Sequence, residues 1–478
     1  MEDTKYTFGM IGLGTMGRNL LLNMTDHDFL GAGYDKDTEK VALLEKEGEG
    51  KPVKGFKSLP EFISSLQTPR ALMMLVPAGK IVDSVIEDLI PLMEEGDIII
   101  DGGNSHFTDT NRRVDYLNSK KLHFFGMGIS GGEEGARNGP SMMPGGDKEA
   151  YRHVKNIFEA IAAKVDDEPC VTYIGPGASG HFVKMVHNGI EYGLMQLIAE
   201  TYEIMQKGLN MDDQSIQQVF AKWNEGRLKS YLLEITKDIF AFKKDGTDNL
   251  LVNSIKDEAR AKGTGKWTSQ IAMDLEIPLP TIDMAVSMRD LSKYKALRIK
   301  LSEFYADELP LMAENKDEFL NTLEQAFYFN MIMTYTQGMH LLFKASFDYH
   351  YKLDLGDIAS IWRGGCIIRS EFLNIITKAF HHNDNLELLL LDETVQGLIK
   401  ETQTAIREVV AAAAKSGIAI PAYGSCLSYF ETFRTKNMPS NLIQAQRDFF
   451  GAHTYELVGQ EGFFHTEWQA IPSAKTNN

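Results

Sequence analysis

A chain of 478 residues and 53.6 kDa exceeds what one hydrophobic core organises, so two or three domains with a cleft between them are expected. An apolar fraction of 43% and an aromatic fraction of 10% exclude extensive disorder. A net charge of −17 excludes a general role on nucleic acid or an anionic membrane, because both demand a positive surface field.

The chain opens without the basic-then-apolar order of a signal peptide, and no apolar run reaches membrane-spanning length, so a cytoplasmic protein is expected. From residue 6 to about 175, short apolar runs alternate with helical patterns. Segments 6–11, 31–34, 72–76, 98–100 and 123–128 read as buried strands of a parallel sheet with helices on its faces. Gly12-Leu13-Gly14-Thr15-Met16-Gly17 follows the first strand and opens a helical pattern, the context in which G-x-G-x-x-G binds a dinucleotide. Gly12 permits the tight turn, Gly14 admits a pyrophosphate close to the backbone, and Gly17 permits close helix packing. Asp35 ends the second strand, near the expected ribose. Asp101-Gly102-Gly103-Asn104-Ser105 and Ile129-Ser130-Gly131-Gly132-Glu133 end two further strands, where ligands of such sheets sit. The backbone N–H groups of Ser130, Gly131 and Gly132 suit a carboxylate, although tight turns alone also use glycine.

After Gly175-Pro176-Gly177 the texture becomes helical, with long segments at 178–206, 214–237 and 317–344. In the first, Lys184, Asn188, Glu191 and Tyr192 share an arc of about 100°, with His187 just outside it. The apolar neighbours Phe182, Val183, Met185 and Val186 predict that this helix is buried on several sides, which makes its ionisable residues candidates for function. The helical region also reads as duplicated. W-N-E-G at Trp223–Gly226 returns as W-R-G-G at Trp362–Gly365, and I-P-L-P around Pro280 resembles I-A-I-P around Pro421, both about 140 residues apart. Lys262-Gly263-Thr264-Gly265-Lys266-Trp267, Arg289, and finally Arg447 and His453 supply cations and a hydroxyl suited to phosphate. His381-His382 has no ligand pattern around it and reads as surface. Cys170, Cys366 and Cys426 are too few and too scattered for disulfides or zinc and read as ordinary small hydrophobes. Beyond about 436 the chain is less regular and reads as a tail that needs another surface.

Taken in order, G-L-G-T-M-G, D-G-G-N-S, I-S-G-G, the G-x-x-x-K-x-x-x-N around Lys184, K-G-T-G-K-W and the distal R-D-F-F-G-A-H resemble the 6-phosphogluconate dehydrogenase family. The first four also resemble the wider β-hydroxyacid dehydrogenase group; the last two belong to the phosphogluconate enzymes. The resemblance implies an α/β Rossmann-type domain over 1–177, an all-α domain of two related halves over 178–436, and a tail over 437–478 that reaches the partner subunit of a homodimer. It implies oxidation and decarboxylation of 6-phosphogluconate to ribulose 5-phosphate without a metal, with Lys184 as base and Glu191 as the acid that protonates C1. Asn104, Ser130, Gly131, Gly132, His187 and Asn188 would hold the sugar acid. Tyr192, Lys262, Thr264, Arg289 and the partner subunit's Arg447 and His453 would hold the phosphate end. The dinucleotide would lie along residues 12–17, Val76 and Asn104. NADP-using relatives usually carry Asn-Arg-Thr where this chain has Asp35, Lys36 and Asp37. Asp35 would face the 2′-phosphate of NADP as a like charge but would accept hydrogen bonds from the ribose of NAD, so NAD, or use of both with NAD preferred, is favoured over the family's usual NADP, with Lys36 a partial offset. Two other readings are a dehydrogenase of small unphosphorylated 3-hydroxy acids, disfavoured by the duplicated region and the phosphate-type residues, and a non-catalytic dinucleotide sensor, disfavoured by intact Lys184 and Glu191.

Overall fold

The computed structural model describes residues 5–306 and 310–468. The N-terminal elements run β1 (Phe8–Ile11), α1 (Thr15–Asp26), β2 (Gly31–Tyr34), α2 (Thr38–Glu47), β3 (Val53–Phe56), α3 (Leu59–Ser64), β4 (Ala71–Met74), α4 (Lys80–Leu89), β5 (Ile98–Asp101), α5 (Phe107–Ser119), β6 (His123–Ser130), α6 (Gly132–Asn138), β7 (Ser141–Gly146) and α7 (Lys148–Ile161). The strands form one sheet in the order β3-β2-β1-β4-β5-β6-β7. Strand order reverses beside β1, which pairs in parallel with β2 on one side (Met10 with Gly33) and with β4 on the other (Met10 with Met73). A doubly wound sheet opens its ligand crevice at that reversal, and the turn at Gly12 starts there. Every residue of β1, β4 and β5 is buried, which demands helices on both faces. Alternate side chains divide accordingly: Met73, Ile98 and Ile100 enter one cluster with Leu20 and Phe158, while Leu72, Met74 and Ile99 enter the other with Phe62 and Val85.

Strands β3 and β7 carry no strand pattern in the sequence. V-K-G-F is half exposed, and S-M-M-P-G-G carries a proline and two glycines. Edge strands tolerate both, because neither needs a full ladder of hydrogen bonds. Strand β7 is also antiparallel, running from Phe125 opposite Gly146 to Ser130 opposite Ser141, so the sheet is mixed rather than wholly parallel.

A short hairpin, β8 (Lys164–Val165) and β9 (Glu168–Pro169), precedes the helical region. There α8 (Ser179–Glu203), α9 (Asp213–Trp223), α10 (Tyr231–Ile239), α11 (Thr264–Asp274) and α12 (Pro280–Ser292) are followed, after α13 (Lys295–Phe304), by α14 (Lys316–Asp348), α15 (Leu355–Ile361), α16 (Phe372–His382), α17 (Glu393–Lys415) and α18 (Pro421–Phe433). The expected helix over 214–237 is two, because N-E-G-R-L-K forms a turn in which Asn224 Oδ1 accepts from Ser230 N–H.

Five helices thus recur in order, with the expected markers in equivalent places. Trp223 ends α9 and Trp362 caps α15, while Pro280 and Pro421 open α12 and α18. The halves interlock. Gln337 of α14 accepts from Thr281 N–H at the start of α12 (3.0 Å), and Glu200 of α8 accepts from Ala422 and Tyr423 N–H at the start of α18 (2.9 and 3.1 Å). Trp223 packs against Phe327 of α14, and Trp362 against His187 of α8, at 5.9 and 5.6 Å between ring centroids.

Residues from Leu427 onward form a second compact unit. Its α19 (Ser440–Gly451) and the hairpin of β10 (Tyr455–Leu457) and β11 (Gln460–Phe464) converge on the buried Asp448. That carboxylate accepts from the N–H groups of Thr454 and Thr466, from Trp468 Nε1–H and from His465 Nδ1. Among the described residues no helix is long and apolar enough to cross a membrane.

Candidate active site

The three glycines after β1 have three distinct jobs. At Gly12 (φ 93°) a Cβ would lie 2.4 Å from Leu75 O, and at Gly17 a Cβ would lie 1.9 Å from Gly12 O, so turn and helix close only without side chains. At Gly14 a Cβ would meet nothing within 4 Å: that glycine keeps a space open at the N-terminus of α1, where first-turn N–H groups have no partner within the helix. These features fit a dinucleotide pyrophosphate. The space continues into a cavity of about 600 Å³ bordered by Gly12, Asp35, Lys36 and Val76. Asp35 is fixed at both oxygens, accepting from Leu13 N–H (2.8 Å) and Asp37 N–H (2.9 Å). Asp37 caps α2 through Glu39 N–H and does not border the cavity. Leu13 is a core residue, and Thr15 and Met16 belong to the first turn of α1. Lys40, Lys80 and Asp88, absent from the sequence reading, also border it; Lys40 lies 3.7 Å from Asp35, and Lys36 lies 3.3 Å from Asp88. Lys40 lies on α2, directly after β2, whereas Lys80 and Asp88 lie on α4, which only the fold brings to β2.

Helix α8 crosses β6 and β7. Gly128 of β6 makes that crossing possible, because a Cβ there would lie 2.4 Å from Lys184 Cβ. Lys184, His187 and Asn188 are buried and Glu191 nearly so. Lys184 Nζ stands 3.4 Å from His187 Nδ1, which also meets Asn188 Oδ1 at 3.0 Å and Glu191 Oε2 at 4.0 Å. His187, just outside the predicted arc, is therefore the hub of the cluster. Burial pulls the Lys184 ammonium below its usual value against the opposing pull of Glu191. Burial pushes the Glu191 carboxyl up, opposed by Lys184 and Arg289. Burial, then Lys184, holds His187 well below its usual value, so it is neutral. An amine and a carboxyl shifted in these directions share a proton-transfer role more readily than a salt bridge.

On the sheet side, Ser130 Oγ lies 3.1 Å from His187 Nε2. Gly131 adopts φ 106° and is packed so close to Gly365 O that a Cβ would sit 2.7 Å away. Gly132 is exposed at the start of α6. Asn104 is exposed on a loop braced by Asp101, which accepts from Gly103 N–H and Ser105 Oγ–H. Of the three cysteines, one is not an ordinary small hydrophobe. Cys170 and Cys426 are buried as anticipated, but Cys366 places its sulfur 2.8 Å from His187 Nε2, because Ser141 N–H and Oγ–H tie its loop to β7. No motif marks a lone cysteine; its position two residues past W-R-G was the available signal. His381 is exposed beside Asp357, as expected for surface.

The phosphate-type residues begin one turn further along α8. Arg289 of α12 stacks on Tyr192 at 3.6 Å, and Gly265 gives that ring room. Thr264 is buried at the start of α11, and Lys262 is exposed before it. Arg447 and His453 belong to the second unit and are exposed there, Arg447 donating to Gln444 Oε1.

The NAD-binding domain of 6-phosphogluconate dehydrogenase matches residues 7–175, and the 6-phosphogluconate dehydrogenase C-terminal domain matches 180–468. The NADP(+)-dependent decarboxylating 6-phosphogluconate dehydrogenase of Bacillus subtilis is 48% identical over 97% of this chain and 99% of its own. Decarboxylating 6-phosphogluconate dehydrogenase 1 of Saccharomyces cerevisiae is 49% identical over 94% of this chain and 93% of its own. Among solved structures, Plasmodium falciparum 6-phosphogluconate dehydrogenase, studied with its cofactor NADP+ and its substrate 6-phosphogluconate, superposes with a TM-score of 0.94 at 46% identity, covering 97% of this chain and all of that one.

Proposed function

Because this chain belongs to the 6-phosphogluconate dehydrogenase family, we propose that its buried Lys184 and the neighbouring Glu191 are the base and acid of the family's reaction. The reaction is the oxidative decarboxylation of 6-phosphogluconate to ribulose 5-phosphate and carbon dioxide, with hydride passing to a nicotinamide dinucleotide. The single observation that carries the assignment is the contact of a buried amine and a largely enclosed carboxyl with one neutral imidazole, at 3.4 and 4.0 Å.

Neutral Lys184 takes the proton of the C3 hydroxyl as hydride leaves C3; the bound nicotinamide supplies the hydride acceptor. The resulting 3-keto acid loses carbon dioxide, and its C3 carbonyl takes up the electrons of the broken bond. Protonated Lys184 gives its proton to that oxygen. Glu191, whose hold on its proton burial strengthens, delivers a proton to the enediol carbon that becomes C1 of ribulose 5-phosphate, while Lys184 takes back the proton of the adjacent enediol hydroxyl so that the C2 ketone forms. The Ser130-Gly131-Gly132 turn, Asn104, His187 and Asn188 hold the acid end of the sugar, and Thr264, Lys262, Arg289 and Tyr192 its phosphate end. Changing Lys184→Met should preserve dinucleotide binding, read by fluorescence titration, and lower turnover at least about 10²-fold. Near-normal turnover would remove the assignment.

The cofactor preference belongs to the same proposal: NAD, or both with NAD favoured. It is supported by Asp35, held at the cavity with both oxygens fixed, and by the engagement of Lys36 with Asp88. A homodimer whose tails complete each other's sites is supported by unpartnered apolar surface. Leu297, Ile299, Leu301 and Phe304 of α13 are exposed, as are Leu442, Ile443, Phe450 and Phe463 of the second unit. Three buried free thiols are consistent with a cytoplasmic location.

A further inference from the structure

The two ring nitrogens of His187 meet different neighbours. Nδ1 faces Asn188 Oδ1 (3.0 Å) and the Glu191 carboxyl (4.0 Å), with Lys184 Nζ at 3.4 Å. Nε2 faces Cys366 Sγ (2.8 Å) and Ser130 Oγ (3.1 Å). A side-chain amide oxygen only accepts, so the nitrogen beside it is the one that carries the proton, and Nε2 must then be given a donor. Ser130 Oγ accepts from Ile367 N–H at 3.4 Å, and its own proton is engaged with the Cys366 sulfur, which leaves the thiol as the donor to Nε2. Burial pushes the Cys366 thiol up to about 12, so it keeps its proton through any working pH.

We propose that Cys366 is a positioning residue that donates its S–H to His187 Nε2 and so fixes the imidazole in the tautomer whose proton lies on Nδ1, toward Lys184. In that tautomer the one Nδ1 proton, shared between Asn188 Oδ1 and Lys184 Nζ, leaves no lone pair on the face that Lys184 meets. An ammonium set against a donor is disfavoured and a neutral amine, whose lone pair accepts, is favoured. In the opposite tautomer the bare Nδ1 would accept from the ammonium and hold Lys184 charged, unable to take the C3 hydroxyl proton. Cys366 therefore acts through His187 on the protonation of the base and touches no reacting atom. Cys366 also faces Lys184 directly, but a thiol that keeps its proton carries no charge there; the charged groups facing the pair are Glu191 on the same helix and, beyond it, Arg289 on α12, and a change at Cys366 alters neither.

The inference rests on Lys184 as base, so the test has one arm independent of turnover. Magic-angle-spinning NMR of the full-length protein labelled at the histidine ring nitrogens, with His187 identified by its loss in His187→Asn, should show the proton on Nδ1. Cys366→Ala should mix the two tautomers, and Cys366→Ser, which restores a donor, should not. In kinetics, the acid limb of kcat/KM should move to higher pH in Cys366→Ala, lowering kcat/KM about 3–10-fold below the limb and leaving the alkaline plateau within about twofold. Cys366→Ser should follow the wild type. A proton on Nε2 in the wild type overturns the proposal even if Cys366→Ala fails to fold, and so does an unchanged ring spectrum in that variant. A changed spectrum with an unchanged limb upholds Cys366 as the group that sets the tautomer and instead removes Lys184 as base.

Discussion

The position of Lys184 depends on an atom that is missing elsewhere. Gly128 has no side chain, and that gap is what brings the amine's stem against β6. Gly128→Ala would force α8 outward, at an overpacking cost of about 1–3 kcal/mol. Displacement of reacting groups by even an ångström costs about 10²-fold in rate. Gly128→Ala should therefore fold, by circular dichroism and thermal melting, with turnover lowered by roughly that factor; wild-type turnover would show that the helix absorbs the methyl without moving the base. Residues at this scale were legible in the sequence where chemistry and spacing coincide. Lys184, Asn188, Glu191 and Tyr192 lie on one arc of one helix, and a 3.6-residue period exposes such a set. Gly128 and Cys366 were not legible as parts of the site, because each matters only through a residue far along the chain, Lys184 in one case and His187 in the other.

At the scale of elements, two helix starts make the same point about contact across the fold. Helix α12 begins under the neutral Gln337, and α18 begins under Glu200, whose carboxyl burial raises to about 7 despite the N–H groups of Ala422 and Tyr423 and the amide of Gln196. An unfolded glutamate titrates near 4.5, so folding takes up a proton between these values. The stabilisation from this group is full below about pH 4.5 and is lost as pH rises through about 7, by at most about 3 kcal/mol. Glu200→Gln copies the equivalent position in the other half. Urea melts should show the variant losing the wild type's gain in stability between pH 8 and pH 5 and equalling or exceeding it at pH 8; the same pH slope in both proteins would contradict the assignment. The loop after β2 gives a second test. Replacing Asp35, Lys36 and Asp37 by Asn-Arg-Thr should shift the NADP-to-NAD ratio of kcat/KM toward NADP by at least about tenfold, since it exchanges a like charge for a planar fork that grips phosphate. A strong preference for NADP in the unaltered protein would show that Lys40 and Lys80 outweigh Asp35. Elements with strong periodicity, such as β1, β4, β5, α8 and α14, were legible, whereas the edge strands β3 and β7 and the break between α9 and α10 were not. Their residues follow partners in the fold rather than a local pattern.

For the whole molecule, the proposed crossing of tails has a direct test. Arg447→Ala subunits mixed with Lys184→Met subunits should recover activity on exchange, because one site of each heterodimer would combine an intact helix with an intact tail. Losing one member of a buried charge pair costs about 2–5 kcal/mol, so Arg447→Ala alone should act mainly on KM. Absence of recovery after verified exchange would place the tail on its own subunit. The interlocked helix starts reach further back in time. Each half lends the other the side chain that begins its last helix, so a protein made of a single half would bury N–H groups with nothing to receive them. The smallest ancestor with every such group satisfied is a pair of identical molecules, each leaning on the other. Joining their genes end to end would have turned a contact between two chains into a contact within one. It would also have freed the second copy to lose the lysine and the histidine of the first and to become scaffold.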